Sequence, residues 1–146
     1  MIQLSAKRRG NQVAIEAQVA DVAAPGKNTR LRFALVEERI HYVGSNGIRF
    51  HHQVVRAMPG GIQGIALEEK TSRHAVTVDL DELRQKLIAY LDDYAKEHPF
   101  SDSDRPLEFK NLHVVALVQN DDTGAILQAR QVEVTGERAA KERQTK

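Results

Sequence analysis

Three of the six histidines, His41, His51 and His52, cluster in this chain of 146 residues, with Glu37 shortly before them. If the chain reverses at Gly44-Ser45-Asn46-Gly47, His41 approaches His52 across a hairpin. With Glu37 that gives two imidazoles and one carboxylate, a donor set acceptable to zinc. His51 and His52 are adjacent, and adjacent residues on a strand point to opposite faces, so one site takes only one of them. No H-x-x-x-H or H-E-x-x-H spacing occurs. A structural or surface role for these histidines is the leading reading. A small metal-binding protein or metal-dependent enzyme using His41 with His51 or His52 is the alternative. Arg56 stands between Val55 and Ala57 in an apolar run, where a guanidinium must snorkel, pair or bind an anion. Pairing with Glu37 or Glu38 on the neighbouring strand is the first expectation. The second is a partner- or anion-binding cluster of Arg56, His51 and His52.

The rest of the chain offers little to a catalyst. Ser5, Ser45, Ser72, Ser101 and Ser103 all fall in turns or polar segments, with no G-x-S-x-G elbow. The carboxylate pairs Glu68-Glu69, Asp92-Asp93 and Asp121-Asp122 read as solvated, the last as loop-forming residues. Pro59-Gly60-Gly61 and Gly64 lack the helix and lysine of a phosphate-binding loop. There are no cysteines, which excludes disulfides, thiolate nucleophiles and thiolate zinc sites. No catalytic residue and no cofactor are expected, and the chain is read as no enzyme.

Lys and Arg total 21 against 20 Asp and Glu, so no net field recruits nucleic acid or an anionic membrane. Aromatic content of 5%, without tryptophan, argues against a base-stacking platform. No apolar run is long enough to span a bilayer. Met1-Ile2-Gln3-Leu4 is followed by Lys7-Arg8-Arg9 with no apolar stretch of a signal peptide. Taken as complete, the chain is expected in the cytoplasm. Lys7, Arg8, Arg9 and the charges of the tail read as solvated termini.

The elements that would position these residues are mostly strands. Val13, Ile15, Ala17 and Val19 alternate with polar residues, and Pro25-Gly26-Lys27-Asn28 supplies turn chemistry after them. Leu31, Phe33 and Leu35 alternate with Arg30 and Arg32; the apolar phase then moves to Val36, Ile40 and Tyr42, which predicts a bulge or bend in one long strand. The segment 48–58 fits either a helix or a strand, and 62–72 reads as a loop. Ala75, Val76, Thr77 and Val78 form a short strand. The clearest element is a helix over about 79–98. Asp79 caps it with Glu82 as capping-box partner, Leu80, Leu83, Leu87, Leu91 and Tyr94 fall on one stripe, and His98-Pro99 stops it. Glu82 with Lys86, and Asp92 with Lys96, are favourable pairs on its wet side. The run 112–118 is nearly continuous in apolar residues, as expected of a central strand covered on both faces. Asn120-Asp121-Asp122-Thr123-Gly124 turns it into a return strand over about 125–134. Six or seven strands with one inserted helix predict a mainly-β protein, an immunoglobulin-like antiparallel β-sandwich over 1–135 with a charged, frayed tail over 136–146.

Two stretches carry a family resemblance: 46–56 (NGIRFHHQVVR) and 114–129 (VVALVQNDDTGAILQA). The pattern N-G-x-x-x-H-H-x-V-V-R followed by V-A-L-V-Q-x-x-x-x-G-x-I-L-Q-A resembles a β-sandwich domain that follows a thioredoxin-like domain in extracytoplasmic bacterial proteins. Some of these are outer-membrane proteins, others secreted proteins of unknown function. The matching residues are Asn46, Gly47, His51 or His52, Val54, Val55 and Arg56, then Val115, Ala116, Leu117, Val118, Gln119, Gly124, Ile126, Leu127, Gln128 and Ala129. The segment 31–37 (LRFALVE) adds to them, so the resemblance covers about 14–134. It implies a non-catalytic accessory domain, periplasmic or secreted, with a protein partner. That partner is either a thioredoxin-like domain absent from this chain, which would then be a piece of a longer protein, or another envelope protein. The resemblance assigns no catalytic residue. Homo-oligomerisation through an exposed strand edge is a further option.

Overall fold

A computed structural model describes residues 1–41, 50–97, 109 and 111–137. Its elements in chain order are β1 (Ile2–Arg9), β2 (Gln12–Val19), β3 (Gly26–His41), β4 (Phe50–Ala57), β5 (Ile65–Leu67), β6 (Ser72–Asp79), α1 (Leu80–Glu97), β7 (Leu112–Asn120), β8 (Ile126–Glu133) and β9 (Thr135–Glu137). One sheet has the order β6-β2-β1-β9, the other β4-β3-β7-β8, with β5 added on β3. All pairings are antiparallel except β1 with β9. The inward positions of both sheets supply one core: Val13, Ile15 and Val19 on one side, Leu31, Phe33, Leu35, Val114, Ala116 and Val118 on the other. The protein is a mainly-β sandwich with one inserted helix, as the patterning predicts.

Alternation explains most of this. In β2 every second residue from Val13 to Val19 is buried, and in β7 every second residue from Leu112 to Val118. β7 is central, but only one face is fully covered; His113, Val115 and Leu117 on the other are half-buried. The phase change after Leu35 is a bulge. Leu35 pairs with Ala57 and Val36 with Val55, so Arg56 is the extra residue on β4, and both Leu35 and Val36 are buried. Gly124 adopts φ 79° before the return strand.

Several elements differ from expectation. The segment that carries Lys7, Arg8 and Arg9 is strand β1, whose register with β2 runs from Ile2↔Val19 to Arg9↔Gln12 around a tight turn at Gly10. Ile2, Leu4, Ala6 and Arg8 share its inner side. Arg8 is therefore not part of a solvated terminus. Gly26 and Asn28 already lie in β3, and the bend precedes them at Ala23 and Ala24. The ambiguous segment resolves as β4. The expected loop holds β5, which puts Leu67 into the core, and β6 starts at Ser72. Strand pairing continues through Gly136 to Glu137, two residues beyond the boundary placed at 135. A side chain at Gly136 would press into the Arg8 backbone, and its φ of 107° favours glycine. The rest of the tail and the 44–47 turn lie outside the described residues.

The helix begins where the capping signal places it: Asp79 Oδ1 accepts a hydrogen bond from the Glu82 amide at 3.1 Å. Its stripe is buried at one end only. Leu80 is fully buried, Leu83, Leu87 and Leu91 partly, and Tyr94 is exposed. Lys96 lies 3.3 Å from Asp93, one residue along from the Asp92 expected of it, and Arg84 meets Asp81 at 2.9 Å. No helix among the described residues is long and apolar enough to cross a membrane.

Candidate functional site

The bulge that makes Arg56 an extra residue aims it into the sandwich, beside Glu37 of β3. Arg56 Nε lies 2.8 Å from Glu37 Oε1, and the two side chains are only 10% and 4% exposed. This is the ion pair expected from their types. Two charges withdrawn from water each lose several kcal/mol of hydration, so their mutual contact is a condition for burying either. The guanidinium also lies over the Phe109 ring, 5.7 Å from its centroid.

Phe109 organises the rest. It is fully buried and has φ 57°, a left-handed conformation that costs a non-glycine residue about 1–2 kcal/mol. Two guanidiniums face its ring, Arg56 and, at 5.0 Å, Arg84 of α1. Each such contact is worth about 0.5–2 kcal/mol, more when desolvated. Arg8 of β1 donates from Nη1 to the Phe109 carbonyl at 2.8 Å and from Nε to the Gly10 carbonyl at 3.0 Å. Arg84 also bonds Asp81, whose other oxygen accepts from Asn11 Nδ2 at 2.9 Å, while the Leu80 amide donates to the Asn11 carbonyl at 2.7 Å. The β1–β2 turn, the start of α1, the β3–β4 bulge and residue 109 thus close one end of the sandwich together. Beside it, among Arg8, Phe109, Leu112, Glu133 and Gly136, is an open cavity of about 280 Å³.

A second polar lock sits in the first half of β3. Arg32 grips Asp121 with two hydrogen bonds of 2.7 and 2.9 Å, and also reaches Gln119 Oε1 and the Ile62 carbonyl. Asp121, read from sequence as a solvated loop residue, is instead fastened to β3. Its carboxyl is held below the usual carboxylate range by the Arg32 hydrogen bonds, and Arg32 is pushed up in turn.

β3 and β4 pair so that His41 stands opposite Phe50, Ile40 opposite His51 and Arg39 opposite His52. The side chains of His41, His51 and His52 lie outside the described residues. Glu37, offered as their oxygen donor, is held by Arg56. Among the described residues no three His, Asp or Glu side chains converge as a metal site. Phe109, Arg8 and Arg84 are the members that sequence reasoning missed. Arg8 alone carried a signal, its even-numbered place in β1 after Ile2, Leu4 and Ala6. His74 on β6 has Nε2 2.8 Å from Ser72 Oγ, and burial pushes its pKa down.

Comparison with family models, with curated proteins and with solved structures gives no match.

Two outcomes follow from these contacts. Glu37→Leu and Arg56→Leu, each alone, break the buried ion pair and lower stability by about 3–5 kcal/mol; the double variant loses less than the sum of the two, read from urea midpoints. Additive losses would show that the two are not coupled. His74 binds its proton less readily folded than unfolded, so stability is full above the ordinary histidine value of 6.5 and falls as pH drops through it. His74→Gln flattens that acid-side fall in melts between about pH 7.5 and 5.5, whereas an unchanged slope would exclude His74 as its source.

Proposed function

We propose that this chain is a non-catalytic accessory sandwich of immunoglobulin-like type, working as a partner-binding domain of an extracytoplasmic bacterial protein. The observation that carries the reading is where its reactive-looking side chains are spent. Arg8, Glu37, Arg56 and Arg84 hold Phe109 and one end of the sandwich, and Arg32 and Asp121 hold the β7–β8 hairpin to β3. These are contacts of a scaffold.

The connectivity supports the immunoglobulin-like assignment. β1, β2 and β6 share one sheet while β3, β4, β7 and β8 share the other, the division expected of a Greek-key sandwich whose chain crosses between sheets. The helix is an insertion between β6 and β7. The resemblance of 46–56 and 114–129 to the sandwich that follows a thioredoxin-like domain supports the accessory role and the location in the periplasm or outside the cell. Surface residues in those same segments are available to a protein partner: Val55, on edge strand β4, and Ile126 and Leu127, at the start of β8 on the opposite edge, are exposed. The partner is a thioredoxin-like domain of the same polypeptide or another envelope protein.

Fractionation of the source cells tests this, with an antibody raised against the chain. The reading expects a band well above the 16.3 kDa of this sequence, in the periplasmic, envelope or culture fraction. A 16.3 kDa band confined to the cytosol would overturn it.

A further inference from the structure

The leucines of α1 pack against the core as far as Leu91, while the tyrosines beside them face outward. Leu80 is fully buried, but Tyr90 is 65% and Tyr94 45% exposed. Their rings stack with centroids 6.4 Å apart, so the two form one aromatic ledge. Leu87 is partly buried at the edge of this ledge, and Lys86 and Asp93 flank it.

We propose that this face of α1 pairs two copies of the chain, antiparallel, about a two-fold axis beside Tyr90. The sequence of the helix is self-complementary in that arrangement. At about 1.5 Å rise per residue, Lys86 stands about 6 Å from Tyr90 towards the helix start and Asp93 about 4.5 Å towards its end. In a copy running the opposite way, Asp93 of the second helix comes nearly level with Lys86 of the first. At about 100° per residue Lys86 and Asp93 also fall on the same flank of the seam, roughly 20° apart. A perpendicular two-fold keeps that flank on one side, so both copies form a Lys86–Asp93 contact. Leu87 and Tyr94 share the other flank and meet by the same arithmetic, Tyr94 of one copy on Leu87 of the other, with Tyr90 on the axis against its own copy. An isologous interface requires this self-matching. Asp93 now pairs with Lys96 at 3.3 Å, both side chains at least three-quarters exposed. A surface pair of that kind contributes little, which leaves Asp93 available for the partner. The pairing does not depend on where in the cell the protein resides.

Light scattering and sedimentation of the full 146-residue chain over a wide concentration range test it. The expected mass at high concentration is twice that of the monomer. Lys86→Glu sets Glu against Asp93 twice and weakens the dimer about tenfold or more, and adding Asp93→Lys restores it. Tyr90→Ala weakens dimerisation while circular dichroism confirms that the helix remains. A monomer at every concentration, or a dimer indifferent to Lys86→Glu and Tyr90→Ala, would overturn the proposal. So would a failure of the second charge reversal to restore a dimer lost with the first.

Discussion

The fold depends on a buried charge that cannot stand alone. Arg56 enters the interior because a bulge on β4 gives that strand one residue more than β3 needs, and Glu37 meets it there at 2.8 Å. Remove the carboxylate and the guanidinium loses the ion pair that offsets its lost hydration. The pair also fixes where Phe109 lies, because the ring takes the faces of Arg56 and Arg84 while its carbonyl is held by Arg8. Elements far apart in sequence are thereby tied together at one end of the sandwich. The left-handed backbone of Phe109 is tolerated for the same reason, since the groups around it determine its position from several directions.

This arrangement bears directly on what the protein does. An arginine in an apolar run suggests an anion site when read alone, and a scaffold when its carboxylate lies beside it. Arg32 and Asp121 repeat the logic in the first half of β3. The two locks share one long strand, and β3 pairs with β4, β5 and β7 along its length. A strand so heavily engaged serves as the spine of a rigid domain. Among the described residues, large apolar groups are exposed at Met1, at Val55 of β4, at Ile62, at the start of β8 and at Ile88, Tyr90 and Tyr94 of α1. Such a body with exposed apolar margins fits the partner-binding role proposed above.

Much of the fold was legible because it obeys a simple period. Val13, Ile15, Ala17 and Val19 announce β2, the capping residue Asp79 announces α1, and Asn120 to Gly124 announce the hairpin. The phase change after Leu35 even located the bulge, since a one-residue slip in apolar period keeps both phases buried only if one strand of the pair carries an extra residue. What stayed hidden lacked a period or had its signal masked by charge. Ile2, Leu4 and Ala6 are separated by polar residues and run into Lys7, Arg8 and Arg9, whose charges read as a solvated terminus. β5 is three residues long, too short for alternation to register, and β9 is held by a parallel pairing that no local pattern encodes. Phe109 is a lone aromatic between charged residues. Its importance comes from three arginines brought to it from β1, β4 and α1, an arrangement only tertiary structure can assemble. The Glu37–Arg56 pair was legible as chemistry because an apolar environment leaves an arginine few choices. The histidine cluster drew attention by residue type alone, without spacing to support it.

The central claim is that Arg56 is an internal strut and not a receptor for anions. Nitrogen-15 NMR on arginine-labelled protein, with the Arg56 signal assigned by its loss in Arg56→Lys, measures this directly through hydrogen exchange at Nε. The account predicts a slowly exchanging Nε–H, protected by Glu37, whose resonance does not move when inorganic phosphate is added. Fast exchange like that of a surface arginine, or a saturable shift with phosphate, would contradict it.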